Sequence, residues 1–321
     1  MEIPTGVGRK YRLADVGTDG YRRARAGYTG HAVPDVRHSA LSRSGGLRNG
    51  LVLTASYRRI MTETANTVTS ETLSHDPVER YRSQGFVHIP GVLSADEVQE
   101  FLADARELLE SHEKVSWDEE GDGNVMDWVA APEAKSSVMR RLALHPGITR
   151  IAEELAGRPL RLFKSELLRK RTIGATRTPL HIDSPAFPIA GADVTLTAWV
   201  ALVDVPAERG CMTFIPGSHV WPEGSGASSA EPFDARPELR WWPRVAIPLR
   251  AGDCTFHHSR TVHMAGTNET DTARISLATV YMDAAATYHP TPEETYQDEV
   301  VGIEPGRPLD TPRYPRVGLT G

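Results

Sequence analysis

The sequence predicts a mainly β protein with flanking helices, and three observations predict this fold class. Seven segments after residue 160 are short, β-rich and separated by Gly, Pro or Asn turns. Helical termini and helical periodicity precede them, between residues 76 and 156. No internal repeat is visible. Many short strands that follow a helical lead-in are typical of a sandwich or a jelly-roll barrel with helices packed outside.

The individual elements are predicted from their termini and periodicity. Asp76-Pro77 can cap a short helix, and Ser94-Ala95-Asp96-Glu97 is a capping box that opens a helix through about Leu109. A second helical stretch is expected over 133–156, with Pro146 splitting it and Gly157 ending it. Strands are expected at 85–90, 160–170, 178–184, 192–204, 211–215, 244–249, 252–258 and 273–283.

Size, charge and cysteine content narrow the class of protein. A chain of 321 residues allows one large or two small domains and a core that needs no disulfides. Its two cysteines, Cys211 and Cys254, lie in apolar segments, which indicates a reduced, cytoplasmic protein. No run of about 18 apolar residues predicts a membrane span. A net charge of −6 gives no reason to expect nucleic acid as a partner. We expect a monomer or a homodimer.

The chain divides into three expected regions. Residues 1–75 are expected to be a disordered or non-native N-terminal extension, because residues 1–60 are rich in Gly and Arg and show no sustained period. Several interpretations of 1–60 stay open: a flexible basic tail, an upstream extension with Met61 as the true start, a nucleic-acid-binding arm, or a transit peptide. Residues 76–290 are expected to form the main domain, and 291–321 a polar, Pro-rich C-terminal tail.

Two histidines and an aspartate have the chemistry of a metal site. Alternate residues of a strand face the same side, so we expect His181 and Asp183 to reach one ion, with His263 contributed by a neighbouring strand. Two imidazoles and one carboxylate, with open positions on the other side, are the ligand set of non-heme Fe(II) oxygenases. His-x-Asp alone is a weak signal in a chain with 12 histidines, since a surface histidine beside a carboxylate gives the same pattern.

Arg274 lies in the last predicted strand, eleven residues after His263. A buried guanidinium there needs an anionic partner, because an unpaired buried charge is costly. That partner is either an Asp or Glu of the protein or a dicarboxylate cosubstrate whose other end chelates the metal.

Five motifs surround these residues in a fixed order. They are Gly85-Phe86-Val87 through Leu93-Ser94, Pro179 to Asp183, Thr197 to Leu202, Gly210 to His219, and Gly252-Asp253 through His263 to Asn268. Their order and spacing resemble those of the phytanoyl-CoA dioxygenase family. The resemblance covers about residues 78–285 and leaves the N-terminal extension unexplained.

The resemblance implies a double-stranded β-helix, a cupin-like jelly roll, that uses Fe(II), 2-oxoglutarate and O2. It implies that His181, Asp183 and His263 are the iron ligands. It also implies that Arg274 pairs with the far carboxylate of 2-oxoglutarate, with Trp199 as an aromatic neighbour of that cosubstrate. Ser276 is expected to add a hydroxyl donor.

This chain departs from the family at two positions. Family members usually have Gln where Ile182 stands and often Ser where Ala265 stands, so two polar groups expected near the metal are missing. The carboxylate ligand is retained, whereas related halogenases replace it with a small residue. Asp183 therefore favours oxidation over halogenation.

The expected function is that of an Fe(II)- and 2-oxoglutarate-dependent dioxygenase of bacterial secondary metabolism. It would hydroxylate an unactivated C–H of a small-molecule metabolite, with succinate and CO2 as co-products. Two alternatives stay open. The same iron centre could catalyse desaturation, epimerisation or cyclisation, or the protein could be a metal-binding jelly roll without turnover.

Other polar residues near the motifs have simpler expected roles. We expect one of His257 and His258 to pack near the site and the other to be exposed, because neighbouring residues of a strand face opposite sides. The basic run Arg169 to Arg171 is either a solvated strand end or a contact for an anionic substrate or cosubstrate. The polar loop 222–240 is either an active-site lid or a loop without a catalytic role.

Overall fold

The computed structural model describes residues 2–4, 10–13, 75–112, 114–119, 123–190, 195–220, 232–291, 296 and 300–318. The helices are α1 (His75–Gln84), α2 (Ala95–Ser111), α3 (Pro132–Lys135), α4 (Ser137–Ala143), α5 (Pro146–Ala156) and α6 (Pro232–Ala235). The strands are β1 (Glu2–Pro4), β2 (Lys10–Leu13), β3 (Phe86–Ile89), β4 (Val115–Glu119), β5 (Gly123–Ala130), β6 (Leu160–Lys170), β7 (Thr178–His181), β8 (Ile189–Ala190), β9 (Thr195–Ala201), β10 (Met212–Phe214), β11 (Val245–Ile247), β12 (Cys254–His258), β13 (His263–Ala265), β14 (Arg274–Asp283) and β15 (Thr287–Tyr288).

Two antiparallel sheets line a central cavity and form a double-stranded β-helix. Within the described residues, the larger sheet has the order β1-β2-β4-β5-β6-β14-β9-β12-β3, and the smaller one has the order β11-β10-β13-β7. Trp199 and Arg274 line the cavity from the larger sheet, and His181 and His263 line it from the smaller sheet. The predicted mainly β jelly roll with flanking helices is confirmed.

Helices cover the outer face of the larger sheet. Phe101 of α2, Leu142 of α4 and Ile151 of α5 are at most 3% exposed and belong to one apolar cluster with Leu167 and Leu277 of the sheet. Burying each such side chain contributes about 1.5–3 kcal/mol. The helices thus cover the outer face, which leaves the inner face of the sheet to line the cavity.

Two predicted helix termini are confirmed, whereas α1 begins at His75, one residue before the predicted cap Asp76, and the second helical stretch has an added break. The capping box at Ser94 is confirmed: its hydroxyl accepts from the Glu97 amide at 3.3 Å, and the Glu97 carboxylate accepts from the Ser94 amide at 2.8 Å. Gly157 ends α5 with a φ of 68°. The stretch 133–156 is also interrupted at Ser136, whose side chain accepts from the amides of Val138 and Met139 and so begins α4.

Strands β4 and β5 belong to the larger sheet and were not predicted. Strand β5 contains Asp127, which is 1% exposed and lies on the same face of the strand as the buried Val125 and Val129. Arg169 donates to this carboxylate at 2.9 Å and Arg171 donates to it at 2.7 Å. A pattern based on hydrophobicity misses such a strand, because its buried charge is paired only by tertiary contacts.

The predicted boundaries of the N-terminal extension and the C-terminal tail stay predictions. Most of residues 1–75, and the loop positions 221–231, lie outside the described residues. β2 pairs with β4 at the edge of the larger sheet. Residues 300–318, expected as part of a polar tail, place Leu309 and Tyr314 in a buried cluster with Phe163. No helix among the described residues is long and apolar enough to cross a membrane.

The basic run at the end of β6 is divided between two environments. Arg169 and Arg171 pair with Asp127, as described above, while Lys170 is 0% exposed and donates to the carbonyl oxygens of Val125 and Thr176. Burial and the neighbouring Arg274 lower the pKa of Lys170 to about 7. Arg171 is 48% exposed and meets solvent at the strand end, as one of the two interpretations expected, whereas Lys170 is buried. None of the three residues lines the cavity described below.

Replacing Lys170 with methionine is expected to remove a pH dependence of stability. Between pH 7 and the ordinary lysine pKa of 10.5, the unfolded chain binds more protons at this position than the folded chain. The unfolding free energy of the native protein, relative to Lys170→Met, should therefore rise with pH in this window, by at most about 1.4 kcal/mol per pH unit. Urea denaturation at several pH values measures this difference, and a constant or falling difference contradicts the expectation.

Candidate active site

The two residues of the His-x-Asp motif lie at the end of β7, but not both on it. The strand ends at His181, and Asp183 has a helical backbone (φ −85°, ψ −36°) at the start of a short 3-10 helix, Ser184–Ala186. The expectation that strand alternation aligns the two side chains is therefore wrong. A turn brings them together instead, held by hydrogen bonds from the amides of Asp183 and Ser184 to the Ser259 carbonyl at 2.9 and 3.0 Å.

The structure brings the three predicted metal-binding residues together. His263 of β13 lies directly opposite His181 of β7 in the smaller sheet, and their ring centroids are 4.1 Å apart. The Nε2 atoms of His181 and His263 lie 3.6 and 3.7 Å from Oδ1 of Asp183. One ligand atom from each residue lies within 4.8 Å of the others, which is a spacing that one metal ion can bridge.

Both imidazoles present the nitrogen that a metal would use. Nδ1 of His181 lies 2.8 Å from the Pro179 carbonyl oxygen, and Nδ1 of His263 lies 2.9 Å from that of Thr261. Carbonyl oxygens only accept, so each Nδ1 carries a proton, and in a neutral ring Nε2 then has a free lone pair. Burial and the neighbouring His181 lower the pKa of His263 to about 3, so that ring is neutral at physiological pH.

Asp183 supplies the negative charge of this cluster. Burial alone would raise the pKa of its carboxyl group, but the imidazoles of His263, His257 and His181 lower it well below the ordinary value. The side chain is therefore ionised. A carboxylate and two imidazoles are donors that suit a divalent transition metal, so the residues present fit an iron ion.

Arg274 is a buried cation without a carboxylate partner among the described residues. It is 1% exposed, its Nη1 donates to the Gly210 carbonyl at 2.6 Å, and its guanidinium lies 5.1 Å from the centre of the Trp199 ring. Burial lowers its pKa only to about 10, so it stays charged. Among the described residues, no acidic side chain forms an ion pair with it, and both its Nε and the buried Ser276 Oγ have no hydrogen-bond partner. These donors fit an anionic ligand such as the far carboxylate of 2-oxoglutarate.

A cavity of about 640 Å³, counting its mouth, connects these groups. The three residues of the cluster and Arg274 line it together with apolar side chains such as Phe187 and Val280.

A charged pair on β6 forms another part of the cavity wall and was not predicted. Lys164, which is 3% exposed, donates to Glu166 at 2.7 Å and lies 3.2 Å from the centre of the Tyr296 ring. The two residues are two apart on one strand, so they face the same side. Their spacing of two on a strand is a signal that could have indicated a shared face on a pocket wall.

Two expectations for residues near the metal cluster are corrected. Ile182, expected near the metal, packs instead with Ile215, Leu239 and Val262 and does not line the cavity. His257 and His258 are both buried, so neither is the exposed residue of the pair. His258 accepts a hydrogen bond from the Arg260 amide at 3.0 Å, whereas His257 lines the cavity.

Replacing Gly210 with alanine is expected to destabilise the protein and weaken 2-oxoglutarate binding. Gly210 has a φ of 74°, and a Cβ there would lie 2.6 Å from the Gly266 carbonyl oxygen. The backbone that holds Arg274 would have to move, which should lower the free energy of unfolding by more than about 2 kcal/mol.

Gly302→Ala is the matched control, because Gly302 also has a positive φ but has open space around it. Its free energy of unfolding should fall by only about 1 kcal/mol. Chemical denaturation and 2-oxoglutarate titration measure both effects, and equal losses in both variants contradict the expectation.

Known proteins that are similar to this chain include members of the family that its motifs resemble. The family model of phytanoyl-CoA dioxygenase (PhyH) matches residues 81–276. A probable phytanoyl-CoA dioxygenase of Caenorhabditis elegans is 25% identical over 191 residues, which cover 53% of this chain and 60% of the relative. The chain thus spans less than two thirds of that relative's length.

Two solved structures are more similar in sequence. The α-ketoglutarate-dependent epimerase SnoN from nogalamycin biosynthesis is 51% identical, with a TM-score of 0.70 over 75% of this chain and 97% of SnoN. SnoN has also been solved with Fe3+, α-ketoglutarate and nogalamycin RO. The carbocyclase SnoK from the same biosynthesis is 42% identical, with a TM-score of 0.73 over 78% of this chain and 99% of SnoK. The chain belongs to the phytanoyl-CoA dioxygenase family and is an enzyme of the Fe- and 2-oxoglutarate-dependent oxygenases.

Proposed function

We propose that this enzyme hydroxylates an unactivated C–H of a small-molecule metabolite, with 2-oxoglutarate and O2 as cosubstrates and succinate and CO2 as co-products. One observation carries the proposal. The ionised Asp183 and the two imidazoles lie in the same cavity as Arg274, a buried cation with donors that have no partner among the described residues. A metal-binding face and an anion-binding group are the two parts that a 2-oxoglutarate oxygenase requires.

His181, Asp183 and His263 would hold the iron, which when bound supplies the oxidising power for the C–H bond. Arg274 would bind the far carboxylate of 2-oxoglutarate, since its fork of donors matches a carboxylate. Trp199 packs against the guanidinium and limits its movement. Ser276 lies two residues from Arg274 on β14, so its hydroxyl faces the same side of the sheet and would donate to the same carboxylate.

The remaining cavity wall would hold the substrate. Phe187 and Val280 offer apolar contacts, while the Lys164–Glu166 pair offers hydrogen-bond donors and acceptors without a net charge. Such a wall suits a largely apolar molecule with a few polar groups better than a strongly anionic one. The protein's own part is to orient this molecule and exclude water, while the oxidation itself depends on the iron.

Epimerisation or ring closure is the second candidate function. SnoN, at 51% identity, is an epimerase, and SnoK, at 42% identity, is a carbocyclase. Both outcomes and hydroxylation begin with removal of hydrogen from a C–H bond, and they differ in what becomes of that carbon afterwards. The retained carboxylate of Asp183 is compatible with each of them.

Product analysis under oxygen-18 gas separates these outcomes. The iron-loaded enzyme would be incubated with 2-oxoglutarate and pathway metabolites of the source organism, and succinate and all new products would be measured by mass spectrometry. Hydroxylation predicts a product that gains one labelled oxygen atom. A product of unchanged mass indicates epimerisation, and the loss of two hydrogens indicates desaturation or ring closure. Either result, with succinate formed in equal amount, would contradict the hydroxylation proposal.

A further inference from the structure

We propose that Thr197 and His257 are positioning residues that hold one oxygen of Asp183, so that only the other oxygen faces the metal. This inference rests on the proposed function, because it assigns how the carboxylate ligand is held. Neither residue belongs to the predicted metal-binding or cosubstrate-binding set.

The two oxygens of Asp183 have different surroundings. Oδ1 lies between the Nε2 atoms of His181 and His263, at 3.6 and 3.7 Å. Oδ2 accepts a hydrogen bond from the Thr197 hydroxyl at 3.3 Å and lies 3.4 Å from Nε2 of His257. One oxygen therefore faces the other ligand atoms, and the second faces donors of the larger sheet.

His257 is a buried side chain whose polar atoms need a partner. It is 1% exposed and lines the cavity, and neither of its ring nitrogens has a hydrogen-bond partner among the described residues. An unsatisfied buried donor is costly. A small rotation of the Asp183 carboxylate would let the His257 Nε2–H donate to Oδ2, which is the polar atom it already faces.

The fold places these two donors side by side. Thr197 of β9 and His257 of β12 are directly paired in the larger sheet, and both side chains face the cavity. Asp183 comes from the other wall, after the end of β7. The carboxylate thus bridges from the smaller sheet, which carries both imidazole ligands, to two rigid strands of the larger sheet.

A carboxylate held in this way has a consequence for cosubstrate binding. A carboxylate that binds through one oxygen occupies one coordination position, whereas a carboxylate that binds through both oxygens occupies two. Thr197 and His257 would thus keep a position open for 2-oxoglutarate. Groups that orient a metal ligand typically change metal affinity or activity by about 10- to 100-fold when they are removed.

The test compares Thr197→Val, His257→Phe and the double variant with the native enzyme under anaerobic conditions. Fe(II) affinity is measured by chelator competition, and 2-oxoglutarate affinity by the absorbance of the ternary complex. We expect each single variant to weaken one or both affinities by about tenfold, and the double variant by more. Thr197→Ser, which keeps the hydroxyl, should bind like the native enzyme.

Thr255→Val is the matched control, because Thr255 precedes His257 by two residues on β12, is fully buried and has a hydroxyl without a partner among the described residues. Circular dichroism of every variant checks that it is folded. Folded Thr197 and His257 variants with native affinities would overturn the inference and leave the proposed function intact. Loss of iron in His257→Phe as complete as in His181→Ala would also overturn it, because His257 would then be a ligand. A native enzyme that binds neither Fe(II) nor 2-oxoglutarate would overturn both proposals.

Discussion

Replacing His263 with alanine is expected to lower Fe(II) affinity by more than about 100-fold, because residues that only orient metal ligands already account for 10- to 100-fold. His263 presents Nε2 to the cluster, and burial keeps its imidazole neutral and available for a metal. The remaining His181 and Asp183 would offer two ligand atoms, which is too few for tight binding of a divalent ion. Chelator competition with Fe(II) measures the loss directly.

His289→Ala provides the control for this variant. His289 is exposed and lies outside the cavity, so its replacement should leave Fe(II) affinity unchanged. Circular dichroism separates lost metal binding from lost folding, since His263 is a buried residue of β13. A folded His263→Ala enzyme that binds Fe(II) as tightly as the native enzyme would show that the iron is held elsewhere.

Arg274→Met is expected to weaken 2-oxoglutarate binding by about 100-fold while iron binding is retained. Truncating one partner of a buried charge pair costs about 2–5 kcal/mol, and about 1.4 kcal/mol corresponds to tenfold in Kd. Methionine has a similar length and removes a buried cation, so we expect the fold to be kept. Titration of the Fe(II)-loaded variant with 2-oxoglutarate, under anaerobic conditions, measures the change.

Two further variants define what Arg274 contributes. Arg274→Lys keeps the charge but loses the fork of donors, so we expect it to recover only part of the affinity. Arg141→Ala removes an exposed guanidinium of α4 and should have no effect. Loss of iron from Arg274→Met together with a native 2-oxoglutarate affinity would contradict the assigned role.

Sequence patterns identified the elements whose signals are local. The capping box at Ser94 and the glycine that ends α5 are recognised by side chains within the same helix terminus, and the structure confirms both. The long strands β6 and β14 were predicted because they are continuous and β-rich. The three metal-cluster residues were predicted because their spacing resembles that of a family.

Features that depend on tertiary contacts were not predictable in this way. The backbone of Asp183 is fixed by the carbonyl oxygen of Ser259, which is 76 residues away in sequence. Strand alternation therefore predicted that His181 and Asp183 lie close together, but for the wrong structural reason. Strand β5 contains Asp127, whose charge is paired by Arg169 of β6 and by Arg171, more than 40 residues later in the chain. His257 is recognised as part of the site only when its distance from Asp183 is known.

Family membership fixes the cofactors more firmly than the outcome of the reaction. SnoN and SnoK resemble this chain over nearly their whole length, yet one is an epimerase and the other a carbocyclase. Enzymes with a common metal centre can differ in how they hold the substrate carbon. The wall formed by Lys164, Glu166 and Phe187 is therefore the place where differences in outcome should be sought.

Anaerobic titration of the native enzyme with Fe(II) and then 2-oxoglutarate determines whether one site binds both. We expect a weak visible charge-transfer band when both are present, its absence in His181→Ala, and succinate formation when O2 is admitted. A native enzyme that shows neither the band nor 2-oxoglutarate-dependent succinate would contradict the proposed function and its site.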